Sequence, residues 1–328
     1  MRSQKGVALL VVLMILAIMA ALASEMTLRY QINIRRTGYT QQQLQQNWLV
    51  GLAEHQAMQI LAQDLRDNAK LLTRDQLWAQ PQQRELASGN TVSWQLTDRQ
   101  ACFNVNALVN TPTDAMADVP ASVRVFTALL ANLDVTGAPA EALIDAIADY
   151  IDSDETPRRS GAENEYYRTS RDPHTIGGRR LYSVSELRQI KGMTPALYQR
   201  LAPFVCALPN DELKINISTL TREDAPLLAA MLDNMLSVSD VRALFDKQKR
   251  QNLASPAALK TALEKTFPGR KDELEAFKNV AATTSQYFRL ETTVSLGDSR
   301  SGTISELEFD TKTSQLFITA RRRAAVDR

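Results

Sequence analysis

Residues Val7 to Ala23 form an uninterrupted apolar run, preceded only by the polar leader MRSQKG and followed by Ser24 and Glu25. About 17 residues at 1.5 Å each give roughly 25 Å of helix, enough for a thin or locally adapted bilayer core. A secretory signal peptide pairs the same two features, and Ala21 and Ala23 offer a small-x-small cleavage site. Its apolar stretch, however, normally runs about 7 to 15 residues. Helical patterning also continues past the membrane edge. From Gln41 to about Leu72 there is no proline, and Leu49, Ala53, Ala57, Leu61 and Leu65 recur every four residues, flanked by Leu52 and Ile60. That spacing predicts one helix, half in the bilayer and half packed through an amphipathic stripe. Orientation is not fixed by charge, since Arg29, Arg35 and Arg36 beyond the span compete with Arg2 and Lys5 before it.

The remainder has a globular composition. With 328 residues, 44% of them apolar, the chain allows about two domains. A formal net charge of +1 argues against a dedicated nucleic-acid binder, which needs clustered cations. Two histidines and two cysteines exclude a multi-His metal centre or a four-cysteine zinc site. No nucleophile elbow, phosphate loop or HExxH segment is present, and neither His55 nor His174 has a partner set that favours catalysis. The chain reads as a non-enzyme.

Strand signals lie at both ends of the soluble part. Thr91 to Thr97 alternates Val92, Trp94 and Leu96 with polar residues, and Phe103 and Val105 flanked by Asn104 and Asn106 read as a second strand. Tyr287 to Leu296, Thr303 to Phe309 and Gln315 to Ala320 form a later set, with a turn over Gly297 to Gly302. Between them the pattern is helical: Val123 to Leu133, Ala140 to Ile151, Ser185 to Ile190, Pro195 to Val205, Asp224 to Met235, Val238 to Phe245 and Ala257 to Thr266. The expected class is α+β: a long N-terminal helix packed on a small antiparallel sheet, with a large all-α domain inserted between the strands. Its divisions are a leader at 1–6, a transmembrane segment at 7–24, the long helix and first strands at 25–107, the inserted domain at 108–280 and the remaining strands at 281–328.

A leader ending in Gly6 directly before the apolar run, and a helix shared between bilayer and head, resemble type IV pilins and pseudopilins. Several local sequences narrow this. CFNVNAL from Cys102, ADYIDSDETPR from Ala148, GAENEYY from Gly161, SVSELRQIKGMTPALYQRLAPFV from Ser183 and ALPNDELKINISTL from Ala207 resemble the protein K family of the type II secretion system, the bulky minor pseudopilins. The resemblance implies cleavage after Gly6 by prepilin peptidase, methylation of Val7, an inner-membrane anchor and a periplasmic head. It also implies partnership with the I- and J-type minor pseudopilins and the major pseudopilin, and contact with the secretin or with secreted cargo. Family members usually carry Phe and Glu at the first and fifth mature positions, where this chain has Val7 and Val11. A missing carboxylate fits a subunit with no neighbour above it. An inserted domain about 30 to 35 Å across by compactness scaling also leaves no room for a copy stacked on top. Residues Leu49, Leu52, Ala53, Ala57, Ile60, Leu61 and Leu65 are expected to pack on partner pilin helices.

Three constellations remain. Asp149, Asp152, Asp154, Glu163, Asn164 and Glu165 flank a loop holding Pro157 and Gly161, a donor set suited to a hard cation. Pro157 and the basic pair Arg158–Arg159 rule out an EF-hand, and the alternative is a solvated loop with helix-terminal acids; the resemblance implies structural Ca²⁺. The segment Leu187, Ile190, Lys191, Gly192, Met193, Thr194, Leu197 and Leu201 resembles a helix-hairpin-helix. Thr194 and Pro195 depart from the phosphate-binding form, so a packing scaffold is expected, with membrane-anchored DNA binding or uptake as the alternative. Cys102 and Cys206 sit in apolar contexts as buried thiols or, in a periplasmic head, a disulfide.

Overall fold

The computed structural model describes residues 4–86, 89–112, 118–170, 172–247 and 255–325. Met1 to Ser3 of the leader lie outside them. Helix α1 (Gln4–Asp67) runs without a break for 64 residues, about 96 Å at 1.5 Å per residue. Its N-terminal part is long and apolar enough to cross a membrane, and large side chains from Val7 through Trp48 stand exposed.

The C-terminal part of α1 lies on a five-stranded antiparallel sheet made of β1 (Gln82–Glu85), β2 (Thr91–Asp98), β7 (Tyr287–Leu296), β8 (Ser299–Asp310) and β9 (Gln315–Ala324), in the order β1-β2-β7-β8-β9. Alternation on β2 and β7 turns Val92, Trp94, Leu96, Phe288, Leu290 and Val294 to one face. There they meet Leu49, Val50, Ala53, Ala57, Leu61 and Leu65 of α1 in one core, with Trp78 edge-on to Phe288 at 5.6 Å. The expected docking of this stripe on partner helices is therefore corrected. Leu49, Ala53, Ala57, Leu61 and Leu65 are buried in the chain's own head, and Leu52 and Ile60 are half-buried beside it. An amphipathic stripe specifies a covered face and leaves open what covers it. Glu54, 4% exposed in the same seam, accepts from Ser305 Oγ at 2.6 Å and from Arg321 at 2.7 and 2.9 Å, tying helix to sheet.

The chain leaves the sheet after β2 and returns at β7. In between lie α2 (Ala121–Asn132), α3 (Ala138–Ile151), α4 (Asn164–Thr169), α5 (Pro195–Leu201), α6 (Ala225–Met231), α7 (Val238–Lys247), α8 (Pro256–Thr266) and α9 (Lys271–Val280). They share a core around Phe103, stacked on Phe126 at 4.9 Å, with Leu129, Ile147, Tyr167, Leu228 and Phe277. Two short parallel ladders close this region: β3 (Phe103–Asn104) with β4 (Val205–Cys206), and β5 (Ile215–Asn216) with β6 (Ala281–Ala282). Asp98 clamps its base to the sheet. Its carboxylate accepts from Thr219 Oγ1 at 2.6 Å, Ser285 Oγ at 2.7 Å, Asn216 Nδ2 at 3.0 Å and Gln100 N at 2.7 Å. Burial raises its pKa against those bonds.

Three local expectations are corrected. The second strand ends at Asn104, and Val105–Asn110 coils into 3-10 turns. Asn104 causes the change: its Oδ1 accepts from the amides of Asn106 and Leu208, drawing the chain out of extension. The helix read over Pro195 to Val205 stops at Leu201, a 3-10 turn at Ala202–Phe204 carrying Pro203, and Val205 enters β4. The turn read over Gly297 to Gly302 is shorter, because β8 begins at Ser299.

Candidate metal centre

Helix α3 ends at Ile151, so Asp149 in its last turn and Asp152 at its C-cap lie three residues apart on one face. Both sit at the negative end of the helix dipole, where carboxylates are unfavourable without a cation. The loop then turns back through Gly161 and delivers Glu163, the residue before α4. Asp149, Asp152 and Glu163 are buried, and each offers a carboxylate oxygen within 4.8 Å of the others.

Gly161 makes this closeness possible. A Cβ at that position would lie 1.8 Å from Oδ2 and 2.6 Å from Cγ of Asp149. The loop is pinned by Lys191, whose ammonium donates to the carbonyls of Ser160 at 3.2 Å and Gly161 at 2.8 Å, while its amide donates to the Tyr167 hydroxyl at 3.2 Å. Tyr167 is buried among Tyr150, Tyr166 and His174, and burial pushes its hydroxyl up to about 12. The helix-hairpin-helix-like segment is thus a scaffold for the acidic loop. Leu187, Ile190, Met193, Leu197 and Leu201 are buried in the helical core, Gly192 takes a positive φ of 85°, and Thr194 caps α5.

Among the three acids, Glu163 has the least compensation. Neither carboxylate oxygen has a hydrogen-bond partner, and Oδ1 of Asp152 is also unpartnered. Burial, and then the charges of Asp149, Asp152 and Asp154, push Glu163 up to about 7; burial likewise raises Asp152. Arg158 is buried with them and donates through Nη1 to Asp149 Oδ1 at 2.7 Å and Asp152 Oδ2 at 2.6 Å. With all three carboxylates ionised, they and the one guanidinium sum to −2, the charge one divalent cation cancels. Buried, unpaired oxygens converging on one point are what a hard cation requires. The residues present fit the group.

The other acids of the sequence expectation do not converge. Asp154 is exposed and accepts from Thr156 N at 2.8 Å; Glu165 is exposed on α4; Asn164 spends its Oδ1 on Ile176 N at 3.0 Å. Arg158, which in the sequence argues only against an EF-hand, is ion-paired with Asp149 and Asp152 inside the cluster. Replacing Gly161 by Ala is expected to displace Asp149 and lower the thermal midpoint of the helical region, with loss of any Ca²⁺ response; calorimetry with and without Ca²⁺ checks this.

The cysteines are bonded to each other, Cys102 to Cys206 with Cα atoms 5.8 Å apart, bridging the chain just before β3 to the end of β4.

A long N-terminal helix, apolar in its first part and laid on a small antiparallel sheet in its last, defines a pilin-like fold. Family profiles for type II secretion system protein K match residues 101–210 and 215–283, spanning the helical region and its ladders. The chain is 42% identical over 310 residues, 94% of each chain, to the putative type II secretion system protein K of Escherichia coli (strain K12). It is 39% identical to protein K of Klebsiella pneumoniae over 80% of this chain and 81% of that one. Among solved structures, the crystal structure of the GspK-GspI-GspJ complex from the enterotoxigenic Escherichia coli type 2 secretion system matches with a TM-score of 0.73 at 28% identity, over 89% of this chain and 100% of the other. The chain belongs to the type II secretion system protein K family. That is a family of secretion-system components.

Proposed function

We propose that this chain is a minor pseudopilin that caps the type II secretion pseudopilus, joins I- and J-type minor pseudopilins in a tip complex and primes polymerisation of the major subunit. The observation that carries the reading is the helical region between β2 and β7, a bulk added to a head that is otherwise one helix and one sheet. The relative solved as GspK is held in a complex with GspI and GspJ, which supports the choice of partners. Val11, in place of a carboxylate, removes the group that would neutralise the amine of a subunit above. In this reading the chain sits in the inner membrane with its head in the periplasm, within reach of the secretin or of secreted cargo, and the long apolar start of α1 supports the anchor. Labelled copies should mark one end of each fibre. Copies spread along the shaft would refute the tip assignment.

Prepilin peptidase is expected to cut after Gly6. Mass spectrometry of the mature chain should then find N-methylated Val7 at its start, whereas a start near Ser24 would show ordinary signal cleavage instead.

In this reading Asp149, Asp152 and Glu163 hold a structural Ca²⁺, which supplies charge balance and cross-links the end of α3 to the loop before α4.

A further inference from the structure

Arg158 does more in the acidic cluster than a lone ion pair would. Its side chain is buried, and four hydrogen bonds fix it. Nη1 takes Asp149 Oδ1 and Asp152 Oδ2, while Nε at 3.2 Å and Nη2 at 2.7 Å both donate to the Thr111 carbonyl. Its own amide lies 3.2 Å from each Asp149 oxygen. The guanidinium thus donates to one oxygen of each aspartate, while Asp152 Oδ1 and both oxygens of Glu163 have no partner. It divides the cluster into a half neutralised by the protein and a half still open.

We propose that Arg158 is a resident cation that sets the ion selectivity of this site, and the inference rests on the metal reading above. Three carboxylates alone would present −3 and favour a trivalent ion; with Arg158 the site presents −2 and matches a divalent one. A fixed positive charge hydrogen-bonded to two of the ligands repels a bound ion in proportion to that ion's own charge, so it disfavours a trivalent ion more than a divalent one. In the ion-free protein the same guanidinium keeps Asp149 and Asp152 from facing each other unscreened.

The test measures Ca²⁺ and Tb³⁺ affinities by calorimetry on the detergent-solubilised full chain, with Arg158→Met, Arg158→Lys and Glu163→Gln. In Arg158→Met, Ca²⁺ should bind about ten-fold tighter and Tb³⁺ tighter by about a further three-fold, the 3:2 ratio of the ion charges. Arg158→Lys, which keeps the charge, should retain the wild-type ratio of the two affinities. Should the methionine variant fail to fold, Arg158→Gln, which keeps a donor for the Thr111 carbonyl, answers the same question. Wild-type binding that Glu163→Gln weakens, with a Ca²⁺-to-Tb³⁺ ratio unchanged in the neutral variants, would overturn the role of Arg158 and leave the metal site standing. Loss of both ions by the same factor would do likewise, because a purely structural tie has no preference for ion charge. No binding of either ion by the wild type and by the neutral variants would overturn both readings.

Discussion

Replacing both members of the Cys102–Cys206 bond by serine is expected to lower unfolding stability by about 4.7 kcal/mol at 25 °C on the chain-entropy model. The figure follows from a sequence separation of 104, which makes the loop closed in the unfolded chain a long one. The location adds to the effect. The bond joins β3 and β4, which pair over only two residues each and are too short to hold register without support. It also lies where the chain enters the helical region and where that region's first half ends, so the ladder, the buried Asn104 contacts and the bond fail together. Urea unfolding of the oxidised, reduced and double-serine forms measures the effect. Reduced and double-serine forms should agree with each other. A midpoint shift worth less than about 1 kcal/mol would mean that the unfolded chain is already compact across this span.

What the sequence carried and what it hid divide by the range of the interaction that decides each element. The apolar run at Val7 and the alternation of Val92, Trp94 and Leu96 report burial directly, and α1 and β2 follow from them. Strand β1, with sequence QQRE, has no apolar alternation because it is an edge strand facing solvent, and only pairing with β2 makes it extended. The ladders β3–β4 and β5–β6 join residues more than sixty positions apart over two residues each, which leaves no local period. Helix α9 was within reach, since Leu274, Phe277 and Val280 recur at threes and face the core. In the acidic site, Asp149 and Asp152 share a helical face by spacing alone. The return of Glu163 depends on Gly161 and on Lys191 reaching the loop from thirty residues away, a tertiary fact.

Removing divalent cations with a chelator should lower the melting temperature of the helical region, and excess Ca²⁺ should restore it. An ion that binds only the folded state stabilises it by mass action, about 4.1 kcal/mol when present at 1,000 times its dissociation constant. A second comparison separates binding from general ionic effects. Glu163 is 6% exposed with both oxygens unpartnered and with Asp149 and Asp152 beside it, so in the ion-free protein its charge is a liability. Glu163→Gln removes that charge at nearly constant volume. In chelator the variant should therefore be as stable as the wild type or more so, and in Ca²⁺ it should be less stable, because a ligand is gone. The two melting curves should change places between the conditions. Non-specific screening by salt would shift both proteins the same way, and a wild-type curve unmoved by chelator and by excess Ca²⁺ would count against a structural ion at Asp149, Asp152 and Glu163.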